Sequence, residues 1–87
     1  MDFDTLLVRY FGQADLGALG AGAYEAGVDR LRVEFGLERD RGRRFALWSL
    51  MHLLGVAPAL DVAFAHAADR DAARNFMAMA AAGTDDD

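Results

Sequence analysis

The chain has 87 residues, no cysteine, 54% hydrophobic residues and a formal net charge of −5. A disulfide framework and a thiolate nucleophile or metal ligand are thereby excluded. A phosphate backbone, bound largely through cationic side chains, is a poor match for so acidic a chain, so nucleic acid is not the expected partner. The expected organisation is one helical domain at 1–83 and a solvated acidic tail at 84–87. At this length folding buries only about 60% of the unfolded surface, which makes a homodimer interface an expected source of further burial.

The opening "MDFDTLLVRYFG" carries acids rather than a positively charged leader, so no signal peptide is expected. Phe3, Leu6, Leu7, Tyr10 and Phe11 recur at helical spacing, Asp2 or Asp4 can cap the start, and Gly12 suits a left-handed stop. Asp15 can cap a short helix through Leu16 and Leu19, and Gly17, Gly20 and Gly22 favour a break. A longer helix follows along Tyr24, Val28, Leu31 and Phe35. Its exposed face carries Glu25, Asp29, Arg30, Arg32 and Glu34, with Arg30 and Glu34 paired at i, i+4 and Gly36 as the stop.

The segment "ERDRGRRFALWSLMHLLG", Glu38 to Gly55, runs four arginines into the most apolar part of the chain and holds its single Trp. Asp40 is the expected N-cap and Gly55 the residue past the C-terminus, giving a central helix over about 41–54. At about 100° per residue, Leu47, Leu50, Met51 and Leu54 form one stripe. Arg41, Arg44, Phe45, Trp48 and His52 form another, roughly opposite, with Ser49 at its edge. A helix apolar on two sides is sandwiched. The second stripe is therefore the edge of the core, an interface, since Arg and aromatic residues are the types that concentrate binding energy, or the wall of a small-ligand pocket. The use of Arg for all nine basic residues, with no Lys or Ile, fits the codon usage of a GC-rich bacterial genome and says little about function.

Pro58 then suits the first turn of a helix with Leu60, Ala63, Phe64 and Ala67 on one face. A last helix starts at Asp69, buries Ala72, Phe76, Met79 and Ala80, and stops at Gly83. The apolar run from Phe45 to Leu60 is interrupted by Ser49, His52, Gly55 and Pro58 and falls short of the roughly 20 residues of a membrane span. No segment alternates with a period of two. The fold expected is all-α, a bundle of five or six short helices, in a soluble cytoplasmic protein.

Chemistry finds little footing. Ser49 and His52 are three apart on one helix, a spacing that carries no specificity for nucleophilic catalysis. His52 has no second ligand at i+3 or i+4, and Asp69, three after His66, reads with Asp71 as a helix-capping or first-turn acid, so no metal and no cofactor is expected. "GALGAGAYEAG" lacks the strand and the Gly-Lys-Ser/Thr ending of a phosphate loop. The function expected is a non-enzymatic interaction or regulatory module, self-associating through Arg41, Arg44, Phe45, Trp48 and His52. The alternative is a helix-turn-helix-like DNA-binding protein using the segment 15–35. There Ala18, Gly22, Val28 and Leu31 fit the skeleton, but Glu25 and Asp29 would face the phosphates.

Overall fold

In the computed structural model, which describes residues 3–84, every regular element is helical. The order is α1 (Phe3–Phe11), one 3-10 turn (Leu16–Ala18), α2 (Ala21–Leu37), α3 (Arg41–Leu53), α4 (Leu60–Ala63) and α5 (Ala67–Thr84). The all-α class and the five helices are as the sequence predicts. Asp2 and most of the acidic tail lie outside the described residues. The helices divide into two packing units, α1 with α2 and α3 with α4 and α5.

In the first unit, α1 closes where Gly12, at φ +84°, donates its N–H to the Val8 carbonyl at 2.8 Å. Only a residue without Cβ takes that φ freely. Asp15 accepts from the Gly17 N–H and nucleates the 3-10 turn. Gly20 is the N-cap of α2, and Gly22 lies inside its first turn. Gly36 does not stop α2, contrary to expectation. The helix continues to Leu37 and ends at Glu38, whose extended backbone leaves the spiral after its N–H reaches the Glu34 carbonyl at 2.9 Å.

The α1–α2 contact is close because Gly27 has no side chain: a Cβ there would fall 2.3 Å from Cδ1 of Phe11. The Phe11 ring lies over this point and stacks on Tyr24 at 5.6 Å. Above it, the Tyr10 hydroxyl donates to Glu34 Oε1 at 2.7 Å. Arg9 and Arg30 reach the same carboxylate at 3.6 and 3.9 Å and flank the Tyr10 ring. Burial, reinforced by the Glu34 carboxylate, pushes the Tyr10 phenol up to about 12.

In the second unit, Asp40 caps α3 by accepting from the Arg43 N–H at 2.9 Å. The other end is a Schellman turn. Gly55, at φ +77°, donates to His52, and Val56 donates to Met51 at 2.9 Å. Between these ends Leu47, Trp48, Ser49, Leu50 and Met51 are all buried, so the helix is enclosed on every side there.

The region after α3 departs from its predicted form. Pro58 precedes the N-cap Ala59 instead of occupying the first turn, and α4 has only four residues. The chain turns extended at Phe64, because the carbonyls that would continue the helix are held by side chains. Arg44 takes Ala63 O, and Arg70 takes Phe64 O and Ala65 O. Helix α5 then starts at Ala67, two residues early, on the carbonyl of His66. Its buried residue is Ala73, with Phe76 and Ala80 half-buried, whereas Ala72 and Met79 are exposed. Nor does Gly83 end it, since the helix includes Thr84.

Two glycines of α2 are expected to respond oppositely to alanine. Gly27→Ala should destabilise the protein by about 1–3 kcal/mol through overpacking against Phe11. Gly36→Ala, facing open space, should stabilise it by up to about 1 kcal/mol through helix propensity. Chemical denaturation reads both, and equal signs would contradict the α1–α2 contact.

Because the folded-state pKa of Tyr10 is raised, its contribution to stability is complete below about pH 10 and is lost as pH climbs towards about 12. Stability measured over that window should fall less steeply in Tyr10→Phe than in the parent chain.

Candidate functional site

Of the five residues of the second α3 stripe, Phe45, Trp48 and His52 lie in one aromatic cluster of the second unit, while Arg41 and Arg44 bond elsewhere. Trp48 is at its centre, 2% exposed, with its indole N–H donating to the Pro58 carbonyl at 3.1 Å. His52 stacks on the indole at 5.3 Å with the rings 10° from parallel. Phe64 packs against Trp48 at 5.7 Å, and Phe76 presents its edge at 6.4 Å. Phe45 touches both phenylalanines, at 6.0 and 6.4 Å.

Trp48 is thus part of the core, as the plainest reading of this stripe has it, and its ring is not available at the surface. Phe45 and His52 are half-buried and cover it. The arginines divide by task. Arg44 points inward to the Ala63 carbonyl. Arg41 remains exposed and makes a two-pronged ion pair with Asp69, Nε to Oδ2 at 2.9 Å and Nη2 to Oδ1 at 3.0 Å. The Arg41 guanidinium hydrogen-bonded to Asp69 holds that carboxyl below the usual carboxylate range, and Arg41 is raised in return.

What remains at the surface is a shallow groove between α3 and α5, lined by Arg41, Gly42, Phe45, Asp69 and Ala72. Its floor is apolar and its rim is the ion pair. Sequence reading missed Asp69, assigning it a capping role, and missed Arg70 altogether. Neither the Arg41–Asp69 pair, 28 positions apart, nor the Arg70 bonds to loop carbonyls follow from local spacing.

Ser49 is fully buried, and its hydroxyl has no hydrogen-bond partner among the described residues. It therefore does not bond His52, and a nucleophile–base pair is not formed. Nor does it bond back to the carbonyl four residues earlier, the usual resort of a serine inside a helix. In the segment 15–35, residues 16–18 make one 3-10 turn and Gly22 sits within the first turn of α2 rather than in a turn between two helices. No three His, Asp or Glu side chains among the described residues are grouped to hold a metal ion. No described helix is long and apolar enough to cross a membrane. Searches for related proteins give no match to a protein family, a curated protein or a solved structure.

Two substitutions test the core assignment here. Trp48→Ala should cost about 3–5 kcal/mol of folding stability, as expected for a large core aromatic. Ser49→Ala should raise stability by roughly 1 kcal/mol by removing an unsatisfied buried hydroxyl. A Trp48→Ala chain as stable as the parent in denaturant would place the indole outside the core.

Proposed function

We propose that the protein is a small, non-enzymatic interaction module of a bacterial cytoplasm, and that the α3–α5 groove is where another protein docks. The observation that carries this reading is the make-up of the groove. Phe45 and Ala72 offer an apolar floor, Gly42 allows close backbone approach, and the Arg41–Asp69 pair supplies a charged rim. An apolar centre inside a polar rim, with Arg and aromatic residues present, is the anatomy of protein interfaces. The floor extends along α5, where Ala72, Phe76 and Met79 share a face at i, i+4 and i+7 and Met79 is 67% exposed. Arg44, Trp48 and His52 support the groove from within the unit rather than meeting the partner directly. A cytoplasmic location suits a chain without cysteine.

The test is comparative capture of bound proteins by the parent chain and by Ala72→Arg, a change at an exposed position that leaves the core untouched. Partners held through the groove should be retained by the parent and lost, at least tenfold, by the variant. An identical set on both would remove the groove from the interface.

A further inference from the structure

We propose that the outer face of α2 is a self-association surface whose occupant is a second copy of this chain, paired antiparallel about a two-fold axis. This surface is distinct from the α3–α5 groove. The face turned away from Val28, Leu31 and Phe35 carries Gly22, Ala26, Asp29, Val33 and Leu37, all exposed, at spacings of four, three, four and four. Val33 is 61% and Leu37 74% exposed, two of the largest apolar exposures among the described residues.

The order of sizes along this face is self-complementary. An axis between Asp29 and Arg30, at the middle of α2, sets Leu37 against Gly22 of the second copy and Val33 against Ala26. Each large side chain then meets a small one, and a Cβ built at Gly22 has nothing within 4 Å, so the space for Leu37 is open. Isologous pairing of this kind is what a two-fold dimer requires, and small residues let two helices approach to about 8–10 Å. Parallel pairing would instead set Leu37 on Leu37 and leave a gap at Gly22.

Charge points the same way. Glu25, Asp29 and Arg32 lie along one flank of the face, exposed, and none makes an ion pair among the described residues. In the antiparallel register the same flanks of the two helices meet, and Arg32 falls between Glu25 and Asp29 of the second copy, twice by symmetry. In the parallel register each of these charges would stand level with its own copy, whereas in the antiparallel register only the two Asp29, beside the axis, do so. Arg30 does not oppose its own copy, because its guanidinium is turned onto the Tyr10 ring and towards Glu34.

Seventeen residues give a face about 25 Å long. It covers less than the roughly 800 Å² per partner of a standard stable complex, so the dimer is weak and dissociates on dilution.

The test is solution mass from micromolar to millimolar concentration, with helical content and denaturation checked for each variant. The parent chain should move towards twice the monomer mass. Val33→Arg should lower the association constant at least about tenfold. Arg32→Glu should lower it several-fold, and Arg32→Glu combined with Glu25→Arg and Asp29→Arg should restore it, since the charges are then exchanged rather than lost. A monomer mass throughout overturns the proposal. So does association that is indifferent to the α2 variants. Either result leaves the groove reading standing, because that reading is judged by capture with Ala72→Arg.

Discussion

Leaving a buried indole N–H without a partner costs about 1–3 kcal/mol, and in this chain the Pro58 carbonyl removes that cost. The second unit depends on this bond. It lets α3 be enclosed over Leu47–Met51 with a tryptophan among the enclosed residues. It also ties down the segment after the Schellman turn, where Gly55 and Val56 redirect the chain. Pro58 suits the role, since its ring fixes φ and its missing N–H leaves only a carbonyl to satisfy. Phe64 and Phe76 then close on the indole from α4 and α5. The exception inside the enclosure is the Ser49 hydroxyl, which is buried without a partner.

The arginines beside this helix act mostly on backbone. Arg44 and Arg70 between them hold the carbonyls of Ala63, Phe64 and Ala65, the acceptors that a continuous helix from α4 into α5 would have used. Side-chain donors at a helix C-terminus satisfy carbonyls that lack intrahelical partners. Here they fix where α4 ends and free α5 to begin at Ala67 in a new direction. Arg41 sits at an unfavourable end of α3 for a cation, and its pairing with the Asp69 carboxylate in the first turn of α5 accounts for it.

Elements bounded by backbone chemistry were legible in the sequence. Gly12 and Gly55 both adopt positive φ where the apolar periodicity runs out, and Asp15 and Asp40 both accept the N–H groups expected of caps. Gly36 and Gly83 misled because glycine ends a helix only when the chain takes a left-handed turn there. Around Gly36 the carbonyls of Glu34 and Phe35 still accept from the Glu38 N–H, and α2 goes on to Leu37. The α4–α5 break was illegible for a different reason: it is imposed by guanidiniums from positions 44 and 70, and periodicity carries no information about such bonds. The stripe of Arg41, Arg44, Phe45, Trp48 and His52 was legible as a group. Its division into a buried tryptophan, an inward arginine and an exposed ion pair needed the positions of Phe64, Asp69 and Phe76.

The use of polar groups within the fold bears on where recognition can occur. Arg9 and Arg30 converge on Glu34, Arg41 on Asp69 and Arg74 on Asp71, while Arg44 and Arg70 are bound to carbonyls. Groups already committed in this way contribute to an interface only after a partner breaks existing bonds, at a cost that offsets most of what an exposed ion pair returns. Apolar side chains left in water carry no such commitment, and each gains on burial in proportion to the area it loses to solvent. Among the described residues the large apolar side chains most exposed to water are Leu37 and Val33 on α2, Val62 on α4 and Met79 on α5, and these hold most of the uncommitted apolar surface. The uncommitted charges of Glu25, Asp29 and Arg32, which gain little by themselves, set the register in which the α2 face can be covered.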